Sequence, residues 1–162
     1  MSYTWVKRGE RNRMPFENVR GRRVTALAAV DLHGPEPTLT WALQAQGGFV
    51  AEQFLDFVRQ LPRLPDKPHV IVLDNGSLHV SKIVQAALPA LRQQRIYLYR
   101  LPPYSRADLN LIEPIFGDIK HHDLVRRRYE TLPDLDAAVD AAFTRYDGKL
   151  NRKTHPQLRL SA

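Results

Sequence analysis

At 162 residues, 43% of them hydrophobic, the chain is sized for one globular domain with a substantial core and is too short for a second. The absence of cysteine excludes disulfides and thiolate metal sites, so any metal must be held by oxygen or imidazole, and a reducing, cytoplasmic setting is expected. The 24 Lys and Arg against 17 Asp and Glu give a net charge of +7, which favours a polyanionic partner such as nucleic acid without choosing DNA over RNA.

No window approaches the roughly 18 consecutive apolar residues of a membrane span, and Met1–Arg8 lacks the apolar core of a signal peptide. A soluble protein with no membrane partner is expected. Residues 1–23 carry Lys7, Arg8, Arg11, Arg13, Arg20, Arg22 and Arg23 with few apolar anchors. They read as a basic arm, either a solvated terminus or a segment that meets phosphates, with Lys7, Arg8, Arg11, Arg13, Arg22 and Arg23 as the candidate DNA contacts.

Residues 24–147 carry the periodicity of a folded domain. Val24 to Leu32 and Thr38 to Gln46 are β-compatible runs separated by the turn residues His33-Gly34-Pro35-Glu36-Pro37, which predicts a hairpin. Phe49, Val50, Phe54, Leu55, Phe57, Val58 and Leu61 recur at helical spacing, giving an amphipathic helix that ends before a Pro62–Pro68 connector. Val70 to Leu73 is a continuous apolar run, the pattern of a strand buried on both faces. Ser81 opens a second helix through Leu91, with Pro89 as an expected kink.

Ile96 to Leu101 is the next strand. The order strand, helix, strand implies a parallel pair with a right-handed crossover, whose carboxyl ends are where ligands gather. A loop from Pro102-Pro103 to about Asn110 leads into a helix with Glu113 in its first turn, where Pro114 forfeits no internal hydrogen bond. Thr131 caps a last helix that Gly148 is expected to end, leaving residues 148–162 as a weakly ordered polar tail.

Two acids stand out. Asp74 lies where the apolar strand meets Asn75-Gly76, which presents its carboxylate at the strand's carboxyl edge; an Asp there also serves as a turn former. Glu113 stands at a helix start, where the macrodipole favours a negative charge and where a Glu can equally be a plain capping residue. The rigid exit from the parallel strand through Pro102, Pro103, Tyr104 and Ser105 aims both acids at one crevice.

Hard cations such as Mg²⁺ take one or two carboxylates plus waters and substrate phosphates. A two-metal phosphoryl-transfer site, with ions roughly 3.5 to 4 Å apart, wants at least three carboxylates. Asp31 is the remaining acid on a strand, but it sits beside a hairpin turn, away from the expected crevice. Asp108 and Asp118 read as loop and helix-surface charges. His121 and His122 diverge by about 100° on a helix and face solvent rather than a shared ion. Asn75 can add an amide or carbonyl contact, and His79 reads either as a phosphate-orienting group or as a turn cap.

The runs Val70-Ile-Val-Leu-Asp-Asn-Gly-Ser-Leu-His79 and Leu101-Pro-Pro-Tyr-Ser, followed by Asp108-Leu-Asn-Leu-Ile-Glu-Pro-Ile-Phe116-Gly-Asp-Ile-Lys120, resemble the DDE-superfamily endonuclease domain of bacterial insertion-sequence transposases related to mariner elements. Thr4-Trp-Val-Lys-Arg-Gly-Glu-Arg11 is similar to a further family segment, and the resemblance spans about residues 3 to 146. It implies an α/β, RNase H-like mixed sheet flanked by helices, Mg²⁺ or Mn²⁺ dependence, and cleavage and strand transfer of DNA at transposon ends. Under it Asp74 and Glu113 are the second and third catalytic, metal-binding acids, while Asn75, His79 and Asn110 match site-shaping positions.

Three departures qualify it. Arg106-Ala107 stands where the family usually has a proline, and Phe116 where it often has Trp. The family's first catalytic Asp lies on a first strand upstream of the Trp5 segment, so the expected domain lacks that strand, and the helix-turn-helix that reads transposon ends lies further upstream still. The implied partners are transposon-end and target DNA, an upstream transposase polypeptide supplying the first Asp and the helix-turn-helix, and a second copy of the chain. The alternatives are a catalytically inactive DNA-binding or assembly module, or the remnant of a split transposase.

Overall fold

The computed structural model describes residues 23–32, 36–64, 66–102, 110–125 and 129–154. In chain order they form β1 (Val24–Asp31), β2 (Thr38–Ala45), α1 (Ala51–Gln60), β3 (His69–Leu73), α2 (Lys82–Gln93), β4 (Ile96–Arg100), α3 (Ile112–Asp118), a π-helical turn (Ile119–Asp123) and α4 (Leu132–Thr154). The basic arm up to Arg22, the hairpin tip at residues 33–35 and the segment 103–109 with Asp108 lie outside the described residues.

β1 and β2 pair antiparallel, from Val24 opposite Ala45 to Asp31 opposite Thr38. The chain leaves β2 through Gln46 and Gly47, both at positive φ, where Gly47 takes φ 83° without the penalty a Cβ would carry. β3 and β4 pair in parallel, from His69 opposite Ile96 to Leu73 opposite Arg100, joined through α2. Among the described residues these make two separate two-stranded sheets.

Helices cover the strands from two sides. On one side Phe54, Leu55 and Val58 of α1 and Val84 and Leu91 of α2 form a buried core with Ile96, against which Leu27, Ile71, Leu73 and Leu98 pack. On the other, Ile115, Ile119, Ala142, Phe143 and Tyr146 enclose Leu39, with Ala26, Ala28, Val30, Trp41 and Leu43 against them. Leu27 faces the first core and Ala26 and Ala28 the second, as the two-residue period of a strand requires. β1 therefore runs between two helical layers. This is the α/β architecture of an RNase H-like fold, with one strand fewer among the described residues.

Local chemistry explains the helix starts. Ser81 Oγ accepts the Val84 amide at 3.3 Å, and Gln53 Oε1 accepts the Val50 amide at 2.9 Å. Thr131 and Asp134 exchange reciprocal bonds, Asp134 N donating to Thr131 Oγ1 and Thr131 N to Asp134 Oδ2, each at 3.2 Å. α2 continues through the exposed Pro89 to Gln93.

Two expectations need correction. β3 is not buried on both faces: Val70 and Val72 are 57% and 52% exposed beside the exposed Tyr97 and Tyr99 of β4, because no described element covers that face. Nor does the last helix end at Gly148. It runs to Thr154, so the first part of the supposed tail is helical. Leu150 packs on the second core and continues the stripe of Val139, Ala142, Phe143 and Tyr146, and that packing offsets the roughly 1 kcal/mol cost of an internal glycine. No helix among the described residues is long and apolar enough to cross a membrane.

Candidate active site

Asp74 follows the last residue of β3, and its carboxylate is held in a small turn. Oδ1 accepts the Gly76 amide at 2.8 Å, the local bond that makes Asp a turn former. The same oxygen lies 3.5 Å from Nε2 of His79, and the His79 amide donates to the Gly76 carbonyl at 2.9 Å. A Cβ added to Gly76 would sit 3.0 Å from Asp74 Oδ1 and 3.4 Å from the His79 ring, so residue 76 must be small for this pair to stand as it does. The Asp74 side chain remains 52% exposed and open to a ligand.

His79 is the less exposed partner. Its ring centroid lies 4.7 Å from that of Phe54 on α1, and burial lowers its pKa, opposed by the charge of Asp74. The imidazole is therefore neutral near pH 7, and the contact through Nε2 is that of a neutral ring beside a carboxylate. His79 stands beside Asp74 within the same turn. Phe54, which seats His79, carried no signal in the sequence beyond its place on the apolar face of α1.

Asn75 ties the two parallel strands together at their carboxyl ends. Its Nδ2 donates to the Leu101 carbonyl at 2.7 Å, while the Leu101 amide donates to the Leu73 carbonyl at 2.8 Å. Asn110 sits at the foot of α3, where its carbonyl accepts the Glu113 amide at 3.1 Å and its Nδ2 donates to Glu113 Oε1 at 3.3 Å. Glu113 occupies the first turn of α3 and is exposed. Asp74, His79 and Asn110 border one cavity of about 750 Å³, and Glu113 joins them through its bond to Asn110.

Asp31 lies at the other end of that cavity. Its charge acts on His69, the first residue of β3, whose pKa is lowered by burial and by Arg63 and raised by Asp31. Asp74 follows the end of the same strand, one strand length or roughly 17 Å away. Asp118 is turned elsewhere: it faces the Tyr146 hydroxyl at 3.5 Å, and burial first, then Asp118, raises the Tyr146 pKa. His121 and His122 are both exposed on the π-helical turn. Arg23, the one candidate DNA-contacting residue within the described set, is exposed at the foot of β1, where its carbonyl accepts the Gln46 amide.

The sequence did not reveal a polar cluster on the far side of α4. Asp123 is buried, paired with Lys149 Nζ, and its carbonyl accepts Arg145 Nη2 at 2.6 Å. It anchors the π-helical turn and is remote in role from the Asp74 mouth.

Among the described residues no group of three His, Asp or Glu is placed to hold a metal ion. Two exposed carboxylates flanked by an amide suit one hard cation completed by water and phosphate oxygens, and fall short of a three-acid cage for two. Asp74 thus follows a strand end and Glu113 stands in the first turn of a helix of an RNase H-like α/β fold. Residues 1–136 match the DDE superfamily endonuclease family, and the chain belongs to it. The family's chemistry is the cleavage of nucleic acid, with DNA as substrate and divalent metal, typically Mg²⁺, as cofactor. The comparison with curated proteins finds no match.

Proposed function

We propose that this chain is the catalytic part of a DNA transposase of the bacterial insertion-sequence, mariner-related kind, working in the cytoplasm on transposon ends. One observation carries the reading: Asp74, oriented by Gly76 and His79, lines the same cavity as Asn110, which bonds to Glu113. Asp74 and Glu113 would bind Mg²⁺ or Mn²⁺. A divalent cation there supplies Lewis-acid stabilisation of phosphate charge and a more acidic attacking water or hydroxyl.

The chain's own residues do the positioning. The Gly76 amide and His79 fix the Asp74 carboxylate, and Asn110 fixes that of Glu113. Asn75 sets the spacing of the strand ends from which both segments depart. The basic residues Lys7, Arg8, Arg11, Arg13, Arg22 and Arg23 supply salt-sensitive phosphate contacts. An upstream transposase polypeptide, as partner, supplies the family's first acid and the sequence-reading helix-turn-helix.

The test is Asp74→Asn in the chain assembled with that polypeptide. Metal-dependent cleavage of transposon-end DNA should fall by about 100-fold or more, as expected when a metal ligand worth several kcal/mol is lost. Unchanged cleavage would sink the assignment.

A second reading, a DNA-binding or assembly module without chemistry, is favoured by the lack of a three-acid cluster among the described residues. It predicts DNA binding that is salt-sensitive, independent of Mg²⁺ and unchanged in an Asp74→Asn, Glu113→Gln double variant.

A further inference from the structure

Between Asp74 and Asp108 the sequence has no acidic residue and five basic ones, Lys82, Arg92, Arg95, Arg100 and Arg106, so most of the net charge of +7 falls in one stretch. That stretch includes α2 and β4, which share the core of Val84, Leu91 and Ile96. Along α2, Gln85, Leu88 and Arg92 follow the three- and four-residue spacing of one helix face. Along β4, Leu98 and Arg100 follow the two-residue spacing of one strand face. All five border a single small cavity beside the Asp74 turn.

The cavity measures about 140 Å³, roughly the room of four or five liquid waters, which suits one small anion. Leu88 and Leu98 give it an apolar lining, and Gln85, Arg92 and Arg100 bring polar groups to it. Gln85 is half-buried and both arginines are exposed. Arg59 is paired with Asp56 and Lys149 with Asp123, whereas neither of these guanidinium groups, nor the Gln85 carboxamide, makes an ion pair or side-chain hydrogen bond among the described residues. Among the described residues no acid borders the space.

Two guanidinium groups bordering one cavity repel each other, and a neutral ligand would leave that repulsion in place. A phosphate group reverses it, because its oxygens accept from two planar forks and from a carboxamide N–H at once, a geometry that arginine meets and lysine does not. An arginine that only covers apolar side chains with its stem keeps its head in water, and lysine would serve there equally well. We propose that the pocket between α2 and the end of β4 binds one phosphate group, held by Arg92, Arg100 and Gln85, and that this phosphate belongs to a DNA strand passing Asp74. Leu73 and His79 border both this pocket and the larger cavity of Asp74, which puts the phosphate next to the candidate active site. DNA as its source rests on the proposed nuclease function; the anion site itself does not.

The test uses the full chain without metal and two probes, inorganic phosphate and a short DNA duplex with unphosphorylated ends. Phosphate at low salt should shift the Nε–H resonances of Arg92 and Arg100 along one common saturation curve. Replacing both by lysine keeps the charge and removes the forks, and should weaken phosphate binding at least about tenfold. On the duplex, the Arg92→Gln, Arg100→Gln double variant should lower affinity at least about tenfold. It should also reduce the slope of log affinity against log salt by about 0.9, the value for one phosphate, where two separate contacts would remove about 1.8. Lys82→Gln removes a charge from the same helix outside the pocket and should change duplex affinity by less than about threefold.

Silent guanidinium resonances, or a lysine double variant that binds phosphate as tightly as the parent, would overturn the pocket. A slope loss near 1.8, or an equal loss of affinity in Lys82→Gln, would replace the shared site by diffuse charge and overturn it too. Phosphate binding lost with duplex binding untouched in the glutamine double variant would overturn DNA as the source and leave free phosphate as the ligand. No step of the test uses metal or cleavage. Intact phosphate binding with no effect of Asp74→Asn on cleavage by the assembled enzyme would therefore defeat the nuclease reading and leave the pocket standing, and the reverse pair of results would defeat the pocket alone.

Discussion

The two helical sides of the molecule are built to different standards of closure. On the α4 side the hairpin is sewn to its helix: Asp147 accepts the Leu39 amide at 2.9 Å, Asp140 accepts Trp41 Nε1 at 2.8 Å, and Phe143 stacks on Trp41 with centroids 5.6 Å apart. On the α1 and α2 side the core is dry at Val84 and Leu91 but opens at Phe54 into the cavity that ends at Asp74. Polar groups on the closed side serve packing, whereas those at the open mouth have acceptor capacity and exposure to spare. The candidate chemistry lies where closure stops.

Truncating one aromatic on each side breaks that comparison most directly. Phe143→Ala should cost about 4 kcal/mol, because Trp41 and Phe116 both rest on that ring and cannot collapse around the void. Phe54→Ala should cost nearer 3 kcal/mol, since its ring already borders open space and the cavity contribution is smaller. Urea denaturation of both variants measures the difference, and a larger loss at Phe54 would contradict it. Thr131→Ala removes the reciprocal cap of α4 and should cost about 1 kcal/mol by the same assay.

The smallest expected effect is a dependence on pH. Burial lowers the pKa of His69 and His79, both on the open side, so the unfolded chain takes up protons first as pH falls below the ordinary histidine value of 6.5. The stability due to the neutral rings is present in full above 6.5 and is lost as pH falls from there through the folded values. His69→Gln should flatten part of the fall in urea midpoint between pH 7.5 and pH 5.5. An unchanged slope would remove His69 from the account.

Much of this was legible in the sequence because it is written locally. Alternation and turn residues placed β1 and β2, helical spacing placed α1, and the order of elements required β3 and β4 to run parallel. Ser81 and Thr131 announced their helices by side-chain chemistry alone. What stayed hidden depends on neighbours distant in the chain. The run Val70 to Leu73 has the composition of a doubly buried strand, and only the surrounding fold shows one face uncovered. Gly148 looked like a stop because the sequence does not say that Leu150 finds a core. Asp74 and Glu113 were identifiable as acids at element ends, but the Gly76 and His79 clamp on one and the Asn110 bond to the other needed coordinates.

The Asn75 bond to the Leu101 carbonyl works like the rivet of a pair of tongs. One limb carries Asp74's turn at the end of β3, the other is the end of β4 at Leu101, and the rivet joins the two. Loosening it would leave Asp74 chemically intact while freeing its turn from the end of β4. If Asp74 and Glu113 hold the cation as proposed, an Asn75→Ala variant should retain both carboxylates and show a weakened preference between Mg²⁺ and the larger Mn²⁺ before any loss of fold.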